Sequence, residues 1–218
     1  MSASYASLDE LRLALAPALA EAAVWDGWSE AAVRAAAEAE GIDPAAAAFA
    51  FSEGPMQMIA AWIGSVDAAM ARELPAEKIA ALKIRERIRT LVQFRLDHIA
   101  PAKEALRRAL AVMAMPQNVP TALRLGWSSA DAMWRLAGDT ASDYNHYTKR
   151  MTLGSIYAAT LAVFADDKSE DHAETKAFLE RRIEGIMKFE KLKAQVLKSD
   201  EERFSPMRLL GRLRYPAR

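Results

Sequence analysis

Ser29-Glu-Ala-Ala-Val-Arg-Ala-Ala-Ala-Glu-Ala-Glu-Gly41-Ile42-Asp43-Pro44 reads as a helix with both ends marked, followed at once by the start of another. Ser29 is a side-chain cap for the first turn, the Ala-rich interior has high helix propensity, and Gly41 supplies the stop. Pro44 then opens the next helix at the position where its missing N–H leaves nothing unpaired. The same punctuation recurs at Asp26-Gly27, Gly54-Pro55, Leu74-Pro75, Ala100-Pro101, Met115-Pro116 to Pro120, Gly138 to Ser142 and Asp166 to Ser169. Between these breaks lie segments of Ala, Leu, Glu, Lys, Arg and Met, all strong helix formers. The expected fold is all-α, a bundle of about ten helices at 8–24, 29–40, 44–52, 55–73, 76–98, 102–114, 119–137, 142–165, 170–198 and 204–214.

The first three helices are short and tightly joined, as a helix-turn-helix head requires. Longer helices follow. This layout resembles the TetR-type regulators, in which a small head precedes a larger ligand-binding and dimerising body. It implies a head at 1–54 and a ligand-binding and dimerisation body at 55–198, here expected to bind a lipid; a basic tail follows at 199–218. A DNA-reading helix needs hydrogen-bond donors and nearby cations. Pro44 to Glu53 carries no Arg, Lys, Asn or Gln, and residues 1–76 hold 3 basic against 11 acidic side chains. No nucleic-acid partner is expected, and the head reads as a structural cap.

The formal net charge is zero over 218 residues, yet residues 77–125 hold 10 basic and 4 acidic groups, and residues 203–218 hold five Arg and no acid. With no cysteine, disulfides and thiolate metal sites are excluded. Residues 1–7 show neither the basic region nor the apolar core of a signal peptide, and no apolar run nears the ~20 residues that cross a bilayer. The expectation is a soluble or peripheral protein.

Arg95, Asp143 and Ser169 stand three residues before His98, His146 and His172, so the Glu-x-x-His pairs of a di-iron bundle are missing. Zincin, nucleophile-elbow, dinucleotide and Walker motifs are absent as well. No enzyme activity and no cofactor is expected.

The helix from Ser142 places Tyr147, Met151, Gly154, Tyr157, Ala158, Leu161 and Phe164 at steps of three and four, which predicts a buried stripe. The preceding helix carries Val119, Leu123, Trp127, Ala130, Met133, Trp134 and Ala137 in a similar stripe. These faces are compatible with ordinary core packing or with an elongated apolar cavity for a lipid, lined by Trp127, Trp134, Met151, Tyr157 and Leu161. Asp143 reads equally as helix-start stabilisation, worth ~0.3–1 kcal/mol, or as a partner contact. For His146 a solvated or structural role is the plainer reading, and Lys149 with Arg150 fits a solvated face. The apolar residues of 170–198 exceed one stripe, which fits a homodimer.

At the end of the chain, Phe204, Met207, Leu210 and Leu213 recur at intervals of three opposite Arg208 and Arg212. That is the pattern of a basic helix lying in a membrane interface, where each Arg contributes ~1 kcal/mol on an anionic surface. Pro206 and Gly211 weaken it as an isolated helix.

The run Gly138-Asp139, Asp143-Tyr144-Asn145-His146-Tyr147-Thr148-Lys149-Arg150 and Ile156-Tyr157 resembles the Coq-nine-like accessory family of ubiquinone (coenzyme Q) biosynthesis. The resemblance covers roughly the C-terminal half. It implies a non-catalytic, TetR-like homodimer that does not bind DNA, holds an isoprenoid lipid or quinone intermediate, and presents it at the membrane to the demethoxyubiquinone hydroxylase. By motif position Asp143, His146 and Tyr147, with Arg150 beside them, belong to the patch that docks the hydroxylase. His146 departs from the Trp usual in that family. The expected location is peripheral on the inner membrane, cytoplasmic in a bacterium or on the mitochondrial matrix side in a eukaryote. The alternative is a TetR-type transcriptional regulator that binds DNA and a small apolar ligand.

Overall fold

A computed structural model of the chain describes residue 5 and residues 7–140, 144–186 and 188. The chain divides into two compact units, Met1–Leu179 and Glu180–Arg218. Of the second, residues 180–186 and 188 are described, and they are helical. Among the described residues there is no strand.

The first unit runs α1 (Leu8–Asp26), α2 (Glu30–Glu40), α3 (Pro44–Ala50), α4 (Pro55–Glu73), α5 (Ala76–Ile79), α6 (Ile84–Ile99), α7 (Lys103–Met113), α8 (Val119–Leu136) and α9 (Tyr144–Asp166), with a last helical stretch from residue 173. Local chemistry sets the head as the sequence predicts. The Ser29 hydroxyl accepts from Ala32 N–H, Gly41 sits in the left-handed region at φ 64°, and the Asp43 carboxylate accepts from Ala45 N–H.

The head is continuous with the body. Trp28 is buried, its indole N–H donates to the Ala105 carbonyl of α7 at 3.0 Å, and its ring lies 5.3 Å from that of Trp62 on α4. Arg12 of α1 donates to the Ala50 carbonyl at the end of α3 at 2.7 Å.

The single helix expected over 76–98 is two, separated at residues 80–83. Neither Gly nor Pro marks this break, because its cause is tertiary. Arg87 donates to the carbonyls of Leu82 and, across the body, Ala137, each at 2.8 Å, and also to Ala80. One guanidinium thus satisfies carbonyls that the helix would otherwise have paired itself. Glu86 accepts from Lys83 N–H at 3.2 Å and starts α6.

Beyond α9 the chain turns on Asp167. Its buried carboxylate accepts from the N–H and hydroxyl of Ser169 at 2.8 and 2.5 Å, and from the N–H and hydroxyl of Thr175 at 2.9 and 2.5 Å. Burial alone would push this carboxyl up; the four donated hydrogen bonds outweigh it and hold the group well below its ordinary value of 3.8. A depressed folded pKa gives stability that is complete above the unfolded value and is lost progressively as pH falls below it toward the folded one. Asp167→Asn should therefore cost about 2 kcal/mol near neutral pH, roughly 4–8 °C in melting temperature. Thermal unfolding followed by circular dichroism at neutral pH and near pH 3 checks this: the gap between variant and wild type should narrow in acid, and a gap of constant size would refute it.

Candidate functional site: an apolar cavity with a charged pair at its buried end

α4, α6, α7, α8 and α9 do not close on one another completely. They enclose a cavity of about 550 Å³ whose lining includes Ile59, Trp62, Leu106, Trp127, Met151 and Leu161. Two small residues keep it open: Gly126 and Gly154 both line it, and a Cβ added at Gly126 would meet nothing within 4 Å. Its rim is apolar and faces solvent, with Leu123 70% and Met151 66% exposed. Isolated exposed apolar residues are ordinary, whereas a cluster around an apolar opening marks a binding surface.

Two arginines, Arg95 and Arg150, interrupt the apolar lining. Arg95 of α6 is 2% exposed, and its guanidinium donates to the Tyr157 hydroxyl at 2.9 Å, the Ser129 hydroxyl at 3.1 Å and the Asp67 carboxylate of α4. Its Cζ also lies 4.9 Å from the centre of the Tyr157 ring. Arg95, Ser129 and Tyr157 all line the cavity. Burial pushes the Asp67 carboxyl up, and the charge and hydrogen bond of Arg95 offset part of that rise. Arg95 is held charged: burial opposes this, and Tyr157 and Asp67 override it.

Outside the rim stands an aromatic cluster. Trp127 lies 6.0 Å from Tyr147 and 6.3 Å from His146, and those two rings meet edge to face at 5.2 Å. Tyr147 is 58% exposed, so it is available to a partner. Trp127 belongs to both features, touching the surface aromatics and lining the cavity.

Arg150 is not part of that surface, contrary to its expected place in the docking patch. It is 2% exposed, and its guanidinium donates to Asp131 at 2.5 Å, Asp139 at 3.0 Å and the His146 carbonyl at 3.2 Å. It ties the first turns of α9 to the end of α8. Burial would raise the Asp131 carboxyl, but the Arg150 hydrogen bond and the Arg135 charge prevail and lower it.

Trp134 is absent from the cavity lining; its indole N–H donates to the Lys149 carbonyl at 3.0 Å, and the Lys149 ammonium sits 5.4 Å from its ring centre. The stripe expected on α9 is shifted too. Its buried face is Arg150, Leu153, Tyr157, Thr160 and Phe164, while Tyr147 and Met151 face outward. Of the five expected lipid contacts, Trp127, Met151, Tyr157 and Leu161 do line the cavity. Asp143 and the tail residues Phe204, Met207, Arg208, Leu210, Arg212 and Leu213 lie outside the described residues.

Sequence reasoning missed Arg95, Asp67 and Ser129. A signal existed for the first: Ile88, Val92, Arg95 and Ile99 share one face of α6, so the arginine occupies a core position. Among the described residues no group of three or more His, Cys, Asp or Glu is placed to hold a metal ion, and no helix is long and apolar enough to cross a membrane.

The elements that carry the cavity rim and the aromatic cluster are also where the chain matches known proteins. The COQ9 family profile matches residues 119–190. The Xenopus laevis ubiquinone biosynthesis protein COQ9-B is 30% identical over 208 residues, which cover 92% of this chain and 70% of that protein. The chain belongs to the COQ9 family. Human and rat ubiquinone biosynthesis protein COQ9 are 31% and 32% identical over 90% of the chain, which spans 64% and 65% of their lengths. All three relatives are described as mitochondrial. A crystal structure of a TetR transcriptional regulator from Nitrosomonas europaea superposes with a TM-score of 0.63 at 21% identity, over 79% of this chain and 95% of that one. This member of the COQ9 family therefore has a TetR-like all-α fold, and at that identity the likeness extends to fold alone.

Proposed function

We propose that this COQ9-family chain is a non-catalytic accessory of ubiquinone biosynthesis, which binds an isoprenoid lipid or quinone intermediate in its apolar cavity and presents it at a membrane to the demethoxyubiquinone hydroxylase. The observation that carries this reading is the open cavity of about 550 Å³, within the range of small-ligand sites and apolar through most of its lining. Its size suits part of a long chain, with the remainder lying along the exposed apolar rim. Family membership supports the pathway. Trp127 supports the coupling of cargo to partner, because the same residue lines the cavity and lies 6.3 and 6.0 Å from the rings of His146 and Tyr147. The regulator reading loses support at α3, whose seven residues Pro44–Ala50 are Pro, Ala and Phe only and offer no side-chain donor to a base edge.

Native mass spectrometry of the purified protein after incubation with polyprenol-containing liposomes tests the cavity. A bound isoprenoid mass is expected; repeated recovery of lipid-free protein would sink the proposal. A homodimer would appear in the same spectra. The membrane arm has a separate check. A chain ending at Lys198 lacks all five Arg of residues 203–218 and should no longer sediment with anionic liposomes. Undiminished sedimentation would reject the tail as the membrane contact.

A further inference from the structure

The Arg95 cluster leaves specific hydrogen-bonding capacity unused, and that capacity faces the cavity. A guanidinium has N–H donors and no acceptor, so both hydroxyls it touches act as acceptors. The Tyr157 oxygen accepts from Arg95 Nε, and the Ser129 oxygen accepts from Arg95 Nη2. Each hydroxyl keeps its own proton to donate, and among the described residues neither donates it to anything. Buried donors are nearly always paired in a complete assembly. Two spare O–H groups on the lining of one cavity call for an acceptor that arrives with a ligand.

The charge of the site narrows what that acceptor can be. Arg95 is already neutralised by Asp67, and Arg150, the other arginine of the lining, by Asp131 and Asp139. A carboxylate or phosphate entering here would place uncompensated negative charge near the part-buried Asp67 carboxylate, with a desolvation cost that no unpaired arginine of the lining offsets. A neutral oxygen brings no such charge. A purely hydrocarbon ligand would leave both hydroxyls unpaired, which also costs.

We propose that Tyr157 and Ser129, oriented by Arg95, form an acceptor-selective anchor for the neutral, oxygen-bearing head of an otherwise apolar ligand, such as a quinone carbonyl or an aryl ether, and that the site discriminates against anionic and purely hydrocarbon molecules. This rests on the lipid-binding reading above. Arg95 is a positioning residue: it holds both oxygens by their acceptor sides, so that their protons point away from it. Asp67 cancels its charge.

Three ligands with the same chain separate the possibilities: decylbenzoquinone, decylbenzene and decylbenzoate, each titrated by displacement of a fluorescent apolar probe from the full chain. Wild type should bind the quinone at least roughly tenfold more tightly than the hydrocarbon or the anion. Tyr157→Phe should weaken quinone binding by roughly five- to tenfold, and Ser129→Ala by a similar factor, with decylbenzene affinity unchanged in both. Ser129→Ala removes little packing and decides the matter if Tyr157→Phe fails to fold. Equal affinity of wild type for decylbenzoquinone and decylbenzene overturns the anchor and leaves the lipid reading standing. Decylbenzoate binding as tightly as the quinone overturns the preference for a neutral head. If none of the three displaces the probe, the lipid reading itself falls.

Discussion

Arg95→Met is expected to destabilise the folded chain by about 3 kcal/mol, the lower end of the range for breaking a buried ion pair. Three groups lose a donor at once, namely Asp67, Tyr157 and Ser129. The lower end applies because the Asp67 side chain retains 21% exposure and can take up a proton. Burial raises the Asp67 carboxyl, and the charge and hydrogen bond that oppose the rise come from Arg95. A raised folded pKa means that stability is retained below the unfolded value of 3.8 and is lost as pH climbs through the folded one. The deficit of the variant should therefore be small in acid and grow toward neutrality, the same direction as for Asp167→Asn but from a carboxyl that burial raises rather than one that hydrogen bonds lower. At neutral pH the melting temperature should fall by roughly 6–12 °C. Adding Asp67→Leu to Arg95→Met should recover most of the loss, since well-packed apolar replacements of a buried pair are often neutral. Urea unfolding of the single and double variants measures the coupling; additive losses would show that the pair is not a unit.

Gly126→Phe should abolish uptake of an apolar ligand without harming the fold. The new side chain starts where a Cβ meets nothing within 4 Å, and the residue lines the cavity, so growth proceeds into empty space. Removing a glycine from the interior of α8 contributes up to ~0.5 kcal/mol of stability by propensity alone. Ligand affinity should fall at least roughly tenfold, because most of the apolar contact area is lost. Gly154→Ala is the matched control: its Cβ would lie 3.7 Å from the Gly126 carbonyl oxygen and 3.8 Å from Ala130 Cβ, ordinary contacts. Probe displacement on both variants, with thermal melts alongside, gives the answer. Retention of full affinity by Gly126→Phe would place the ligand elsewhere.

Legibility in the sequence followed the range of the interactions involved. Ser29, Gly41 and Asp43 act on backbone groups within four residues, so the head could be read residue by residue. The break before α6 could not, because Arg87 makes it by reaching Ala137, fifty residues away. On α9 the periodicity of the apolar stripe fits core packing and a cavity alike: Tyr157 and Phe164 are buried and Met151 and Leu161 line the cavity, while Arg150 and Thr160, outside the stripe, lie on the buried side as well. Hydropathy assigns a charged residue to the surface by default. Arg95 and Arg150 occupy core positions because Asp67, Asp131 and Asp139, distant in sequence, come to meet them. Nothing near an arginine in the chain announces its partner. Trp127 was found for its bulk, and its contact with both the cavity and the surface rings emerges only from the packing of α8 on α9.

Arg95 and Asp67 cancel one another before any ligand arrives, so a neutral molecule entering the cavity transfers no net charge and releases no counter-ion. On the membrane reading proposed above, ionic strength acts instead on the five Arg of residues 203–218, whose attraction to an anionic surface is screened within ~8 Å at physiological salt. On that reading holding and landing are separately adjustable: a rise in salt should lift the protein from an anionic bilayer with its passenger retained, and a fall should return it loaded.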